Sequence, residues 1–322
     1  MTDFDEGRRA VLVTGASGGI GAAVVRLLAE RGYEVFAAVR RSSATPAEPP
    51  SPASSRAESR AETPADGLPV GAAPADTPAV DGLPEGVRVI PMDVTNPMSV
   101  TRAAQRVGRE TEGLHAVINN AGVIVQGPLE LVPPTELQRQ FAVNTFGPVY
   151  VTQAFLPLLR AGRGRVINIS APSGRIPFPF MAPLSASKAA LESISDALRV
   201  ELAPWRIPVV IVEPGATATA IFSKADHAAQ AALEPADPRR VALYAHQLAA
   251  FRRAMARQNL GPVDAVARTI VTAVEASRPR RLYVTGSGAR SMSLLAHLPA
   301  GLRQRLVALA LGLRGARPGP SA

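Results

Sequence analysis

The run VLVTGASGGIG at residues 11–21 constrains this chain more than any other stretch. Val11, Leu12 and Val13 are continuous rather than alternating, as in a strand buried on both faces of a parallel sheet. Thr14 and glycines at 15, 18, 19 and 21 follow, and an amphipathic helical pattern starts at once over residues 22–30. Gly15 lets the chain turn sharply, Gly19 lets backbone approach a ligand, and Gly21 lets the helix lie close on the sheet. The start of that helix then offers unpaired N–H groups to a pyrophosphate. Glycine also collects in plain turns, but a strand before and a helix after make a dinucleotide site the better reading.

The remainder repeats that grammar. Residues 34–39, 87–91, 92–94, 115–118, 165–169, 207–212 and 282–285 read as strands. Helices are predicted over 97–111, 134–145, 148–160, 183–202 and 264–276, with a mostly helical excursion over 217–258. Strands separated by helix-length segments, without hairpin signals, predict an α/β fold: a Rossmann-type doubly wound parallel β-sheet, three-layer αβα, in a single domain over residues 1–290. Residues 42–86 interrupt it with nine prolines, seven acids against two arginines, and almost no large apolar side chains. Such a stretch cannot bury enough surface to offset its ordering entropy and reads as a disordered insertion. Residues 291–322 read as a basic, partly helical C-terminal tail. From 277 onward there are eight arginines and no acid, and LRQRLVALALGL at 302–313 is helix-length and apolar. That segment could lie on a membrane surface, or pack on its own domain or on a sister subunit.

Composition removes several classes of function. Without cysteine there are no disulfides and no thiolate chemistry, and four scattered histidines (115, 227, 246, 297) do not make a metal site. The net charge of +9 comes from 35 basic residues of which only Lys188 and Lys224 are lysine, a compositional bias rather than a nucleic-acid surface. Aromatics make up only 4% and are not interleaved with the basic residues, so no nucleic-acid partner is expected. No apolar run is long enough to span a bilayer. The acidic N-terminus (Asp3, Asp5, Glu6) resembles neither a signal nor a transit peptide, which places the chain in the cytoplasm as an expectation. At the end of the second strand, Arg40 and Arg41 have no acid beside them. A carboxylate there would grip a ribose 2′-hydroxyl, whereas arginine pairs with a 2′-phosphate, so NADP(H) is favoured over NAD(H).

Taken in order, TGASGGIG at 14–21, Asp93, Asn119-Asn120-Ala121-Gly122, Asn144 in FAVNTFG, and Pro214-Gly215 with Thr219 resemble the classical short-chain dehydrogenase/reductase family. The resemblance covers residues 9–285 apart from the insertion. The stretch GRIPFPFMAPLSASKAALESISDALRVEL is most similar to retinol- and 17β-hydroxysteroid-dehydrogenase-like members. It implies a cofactor site built from Thr14, Gly15, Ser17, Gly19, Ile20, Gly21, Arg40, Arg41, Asp93, Val94, Asn120, Ala121, Gly122, Lys188, Pro214, Gly215 and Thr219. It also implies a homo-dimer or homo-tetramer through the helices at 148–160 and 183–202.

The family's chemistry uses a tyrosine four residues before a lysine, a serine thirteen before the tyrosine, and an asparagine. Asn144 and Lys188 stand at two of those positions, but Leu184 and Ala171 occupy the other two. Leucine has no proton to exchange and alanine cannot polarise a carbonyl. Ser170 is a possible substitute donor, although strand alternation turns it away from its neighbour's side. Three readings follow. One is an NAD(P)-dependent oxidoreductase acting on an alcohol/ketone pair of an apolar substrate through a degenerate site. The second is a catalytically inactive NADP(H)-binding sensor, scaffold or partner protein. The third is a cofactor-assisted isomerase or epimerase. Phe178, Phe180, Met181 and Phe222 either flank the expected pocket for an apolar small molecule or simply close the core, and the 217–258 excursion is long enough for a lid.

Overall fold

Seven short, mostly apolar strands hydrogen-bond into one sheet in the computed structural model, which describes residues 9–40, 82–286 and 288–313. They are β1 (Ala10–Thr14), β2 (Glu34–Val39), β3 (Arg88–Pro91), β4 (Ala116–Asn119), β5 (Arg165–Ile169), β6 (Val209–Pro214) and β7 (Leu282–Thr285). Their order across the sheet is β3-β2-β1-β4-β5-β6-β7, and every pairing is parallel. The strand order reverses direction between β1 and β4, and in open parallel sheets the carboxyl ends at such a switch point form the ligand crevice.

Both faces of the sheet are covered, which is why β1 is apolar at consecutive positions. Val11 and Val13 join a cluster with α1 (Gly19–Glu30) and α9 (Val263–Glu275), while Leu12 points into the opposite one. That second layer contains α2 (Pro97–Gly108) and α4 (Gly147–Ala161), with the long α5 (Ala182–Glu201) beside them over β6. The expected α/β three-layer architecture is therefore the one found.

Element bounds differ where side chains compete with regular structure. Residues 92–94 were expected to extend the third strand, yet β3 ends at Pro91. Asp93 Oδ1 accepts hydrogen bonds from the Thr95 N–H (2.9 Å) and the Thr95 hydroxyl (2.7 Å), which turns the chain away from the sheet. The helices expected at 134–145 and 148–160 are one continuous rod: α3 (Pro134–Phe141), a π-helical turn (Ala142–Phe146) and α4.

The excursion after β6 resolves into α6 (Ile221–Leu233), α7 (Pro238–Leu243) and α8 (Ala245–Ala256). Its two ends meet: Thr217 bridges Gly261, with Ala218 N–H donating to the Gly261 carbonyl (3.0 Å) and Gly261 N–H to that of Ala216 (2.8 Å). After β7 come α10 (Ala289–Leu295) and α11 (Ala300–Ala310), which pack on the body, so the boundary expected at residue 290 falls inside a helix. Arg41 and most of the 42–86 stretch lie outside the described residues. At its far end Leu83 packs on the α1/α9 cluster, so the last residues of that stretch belong to the domain.

Candidate functional site

At the switch point the glycine loop is shaped by contacts that leave no room for side chains. Gly15 and Gly19 adopt positive φ (64° and 53°), the left-handed region that glycine enters freely. A Cβ on Gly15 would stand 2.8 Å from Ala121 Cα, and one on Gly21 would stand 2.2 Å from the Gly15 carbonyl oxygen. The loop is thus pressed between the start of α1 and the chain leaving β4. The α1 terminus carries no acidic residue in its first turn, and Gly18 at its N-cap has no side chain to occupy the free N–H groups. Those groups, with the dipole behind them, suit a diphosphate.

Asparagines bind this loop to the neighbouring strands. Asn120 Nδ2 donates to the carbonyls of Thr14 (3.0 Å) and Gly15 (3.1 Å), while Thr14 Oγ1 accepts from the N–H groups of Asn120 and Ala121. A deeper chain runs from Asn119 to Asn168 (2.8 Å), on to Ser195 (2.8 Å) and the Leu191 carbonyl (2.7 Å), tying β4 and β5 to α5. Val94 is held under the π-helical turn, where a Cβ on Gly147 would meet it at 3.0 Å. The structure brings the 14–21 loop, Asn120, Ala121 and Thr219 together at this crevice, while Arg41 lies outside the described residues. Ser17 and Arg40 are exposed, Ile20 and Gly122 are half-buried, and the Thr219 side chain lies 3.2 Å from where a Gly19 Cβ would be. Pro214 ends β6, and the Gly215 N–H is held by the Thr285 carbonyl (2.7 Å).

Asn144 sits in the π-helical turn, a geometry often found at functional sites. Its Oδ1 accepts the Val123 N–H and its Nδ2 donates to the Val123 carbonyl, both at 2.9 Å. Lys188 lies on α5 with its side chain buried, and Nζ donates to the Ile169 carbonyl at 2.6 Å. Burial pulls this ammonium down to about 8, a shift that the charge of Glu192 partly opposes. Ala171 is extended at the end of β5, and Leu184 is one helical turn before Lys188. The Ser170 hydroxyl, just past β5, donates to Glu192 Oε1 at 2.5 Å. Burial pushes the Glu192 carboxyl up to about 7 even though that hydrogen bond favours its charged form.

Glu192 is a residue that sequence reasoning missed, although its position four residues after Lys188 places both on one helix face. Gly174 makes room for it, since a Cβ there would stand 2.6 Å from Glu192 Oε1. Two further groups were also missed. Gln140, fully buried, accepts from Val125 N–H (2.7 Å) and donates to the Val123 carbonyl (3.0 Å) and to Ser187 (3.2 Å). Arg175 pairs in bidentate fashion with buried Glu213 at 2.8 and 2.5 Å. These partners are distant in sequence, and no spacing signals them.

On the substrate side the wall is apolar and closed by the chain's own residues. Leu184, only 6% exposed, belongs to a cluster with Ile124, Ile176, Met181, Ala225, Phe251 of α8, and Val307 and Leu311 from α11 and its end. Phe178, Phe180 and Phe222 pack at its edge and help close this core. Phe180 is held at φ 63°, a strained setting for a bulky side chain. Its carbonyl accepts the Gly127 N–H (2.8 Å), and its ring meets that of Phe251 at 5.4 Å. Exposed polar pairs latch the excursion to the loop after β4: Gln126 to Asp226 (2.7 Å), and Arg240 and Tyr244 to Glu130 (2.9 and 2.7 Å). Such exposed pairs add little, whereas each buried large apolar side chain stabilises by about 1.5–3 kcal/mol, so the cluster sets the closure.

Comparison with known proteins agrees with this geometry. The short chain dehydrogenase family model matches residues 9–62 and 76–230, and the break falls within the proline-rich stretch. Estradiol 17-beta-dehydrogenase 2 of Rattus norvegicus is 35% identical over 224 residues, 68% of this chain but only 51% of the rat protein. The chain thus spans about half the length of that relative. NADPH-dependent 3-dehydrocapnine reductase of Ornithobacterium rhinotracheale is 34% identical over 284 residues, covering 86% of this chain and 87% of the reductase. Among solved structures, a short chain dehydrogenase from Burkholderia cenocepacia in complex with NADP superposes with a TM-score of 0.64 at 25% identity, covering 93% of this chain and 97% of its own.

Proposed function

The chain belongs to the short-chain dehydrogenase family, and from that premise we propose that it is an NADP(H)-dependent oxidoreductase for the alcohol/ketone pair of an apolar small molecule, working without the family's usual proton donor. The observation that carries this reading is the pairing of an intact dinucleotide cradle with a reacting side that keeps Asn144 and Lys188 but presents Leu184 and Ala171. Residues 14–21 with Asn120 would hold the diphosphate end. Arg40 at the tip of β2 would meet the 2′-phosphate, and Lys188 would reach ribose hydroxyls. Once bound, a nicotinamide supplies hydride chemistry.

The protein's own share is binding, orientation and the proton. Thr219 lies against the loop at Gly19, and the Leu184 cluster gives the reacting side an apolar wall. The proton is where the site departs from its family. Neither Leu184 nor Ala171 can give one, and the Ser170 hydroxyl is committed to Glu192. Turnover by the tyrosine route is therefore expected to be lost, and a carbonyl oxygen reduced here would have to draw its proton slowly from solvent water. Calorimetric titration with NADPH and NADH, beside single-turnover NADPH oxidation on a panel of hydrophobic ketones, tests the reading. Tight NADPH binding with slow, ketone-dependent oxidation supports it. A failure to bind either dinucleotide overturns it.

A second reading, a non-catalytic NADP(H)-binding sensor or scaffold, is favoured by one feature. Leu184 is packed under α8 and α11 rather than left facing an open cleft. Binding without any hydride transfer selects it. In both readings the assembly is a homo-dimer or homo-tetramer. Its support is the exposed face of α4 and α5, where Ala186, Ala189, Ala197 and Val200 form a small-residue stripe and Phe146 lies 6.5 Å from Tyr150.

A further inference from the structure

α11 is apolar on two sides. Val307 and Leu311 face inward to the cluster that holds Leu184. Leu302, Leu306 and Leu309, spaced for one helical face, are exposed by 46%, 37% and 56%, and Leu294 of α10 by 74%. Arg303 and Arg305 flank the outer stripe in the helical projection. The Arg303 guanidinium also donates to the Ala296 carbonyl at the end of α10 (3.1 Å), which fixes the angle between the two helices. None of α8, α10 and α11 contains an acidic residue, and α8 adds exposed Arg252 and Arg253.

A leucine stripe bordered by arginines, on helices without acids, is what an anionic lipid surface matches. The leucines enter the acyl boundary, and the arginines reach back to phosphate. A second copy of the chain would match it poorly, because a twofold mate would set arginine against arginine. Among the described residues no helix is long and apolar enough to cross a membrane, so the contact is one of lying on the surface. We propose that the outer face of α10–α11 docks this protein onto anionic lipid bilayers. Bilayer and ligand wall then lie on opposite sides of a single helix.

Flotation of the full-length protein with vesicles of phosphatidylcholine alone, or mixed with phosphatidylglycerol, tests this. The protein should float with the anionic vesicles, release at high salt, and stay behind with the zwitterionic ones. Leu302→Ser/Leu306→Ser/Leu309→Ser should abolish flotation. Arg305→Glu should weaken it about tenfold or more, at about 1 kcal/mol for each charge near the surface. NADPH affinity should be unchanged in both variants, which shows that they fold. Absence of flotation, equal flotation with both vesicle types, or flotation indifferent to these substitutions would each overturn the proposal. Loss of a dimer in the serine variant, with no vesicle binding by the wild type, would assign the face to a second copy instead.

Discussion

Around the carboxyl ends of β1 and β4, polar groups hold one another; around the amino end of α5, apolar side chains do. In the first region Thr14, Asn119, Asn120 and Asn144 are all hydrogen-bonded, and three glycines leave room for a ligand. In the second, Leu184 is sealed by helices from far along the chain. The contrast shows how separable the two tasks of such a fold are. Backbone amides and glycines do the holding, and nothing in them depends on residue 184. Lys188 and Glu192 stand at the junction, the lysine buried and the carboxyl half-buried.

The contrast can be broken first on the polar side. Gly21→Val would drive a side chain into the Gly15 carbonyl, and backbone cannot yield as a side-chain tip can. Calorimetry should find no dinucleotide binding, and the melting temperature should fall. Retained affinity would show that the crevice is not the cofactor site. The next largest effect is expected on the apolar side. Leu184→Tyr with Ala171→Ser should raise single-turnover ketone reduction by about 10²-fold, with each single change giving little because both act on one oxygen. The larger ring should also cost about 1–3 kcal/mol of stability through overpacking. A wild type already fast on some ketone, and slowed by Leu184→Tyr, would mean that the proton comes from elsewhere.

A smaller effect sharpens the cofactor assignment. Arg40→Ala should weaken NADPH about tenfold and leave NADH unchanged, the scale of one lost charge-assisted hydrogen bond. Equal losses for both would remove the 2′-phosphate from the argument.

The smallest effect belongs to the junction. Glu192 is raised from 4.5 to about 7, so across that window the folded state carries a proton that the unfolded state has released, and stability falls as pH rises. Lys188 is lowered from 10.5 to about 8, so above 8 the unfolded state binds the extra proton and stability rises again. Thermal melts against pH should therefore pass through a minimum near pH 7–8. Glu192→Gln should flatten the acid-side arm and leave the alkaline rise. An unchanged acid arm would show that Glu192 titrates as an ordinary carboxyl.

Most of the polar region was legible from the sequence because its signals are local. The glycine loop adjoins its strand and helix, and the asparagines follow β4 directly. Buried strands announced themselves as unbroken apolar runs. The bounds erred where a side chain intervened, as at Asp93 with Thr95. Phe178, Phe180 and Phe222 gather on one apolar cluster, but what completes it was not legible, since Phe251, Val307 and Leu311 reach Leu184 over more than sixty residues of chain. The partner of Ser170, Glu192, went unseen although it shares a face with Lys188. The pairing of Arg175 with Glu213 left no mark at all in the spacing.

The bridge between Thr217 and Gly261 has a consequence for how such a molecule can change over evolutionary time. Residues 218–260 leave the body and return to it at neighbouring points, so their ends are fixed whatever lies between. That makes the segment a cassette. Its helices can be lengthened, shortened or exchanged with those of a relative, and the sheet is presented with the same two attachment points. Ligand preference can therefore drift quickly while the dinucleotide crevice stands still, and a graft made at these two residues should carry one protein's selectivity onto another's frame.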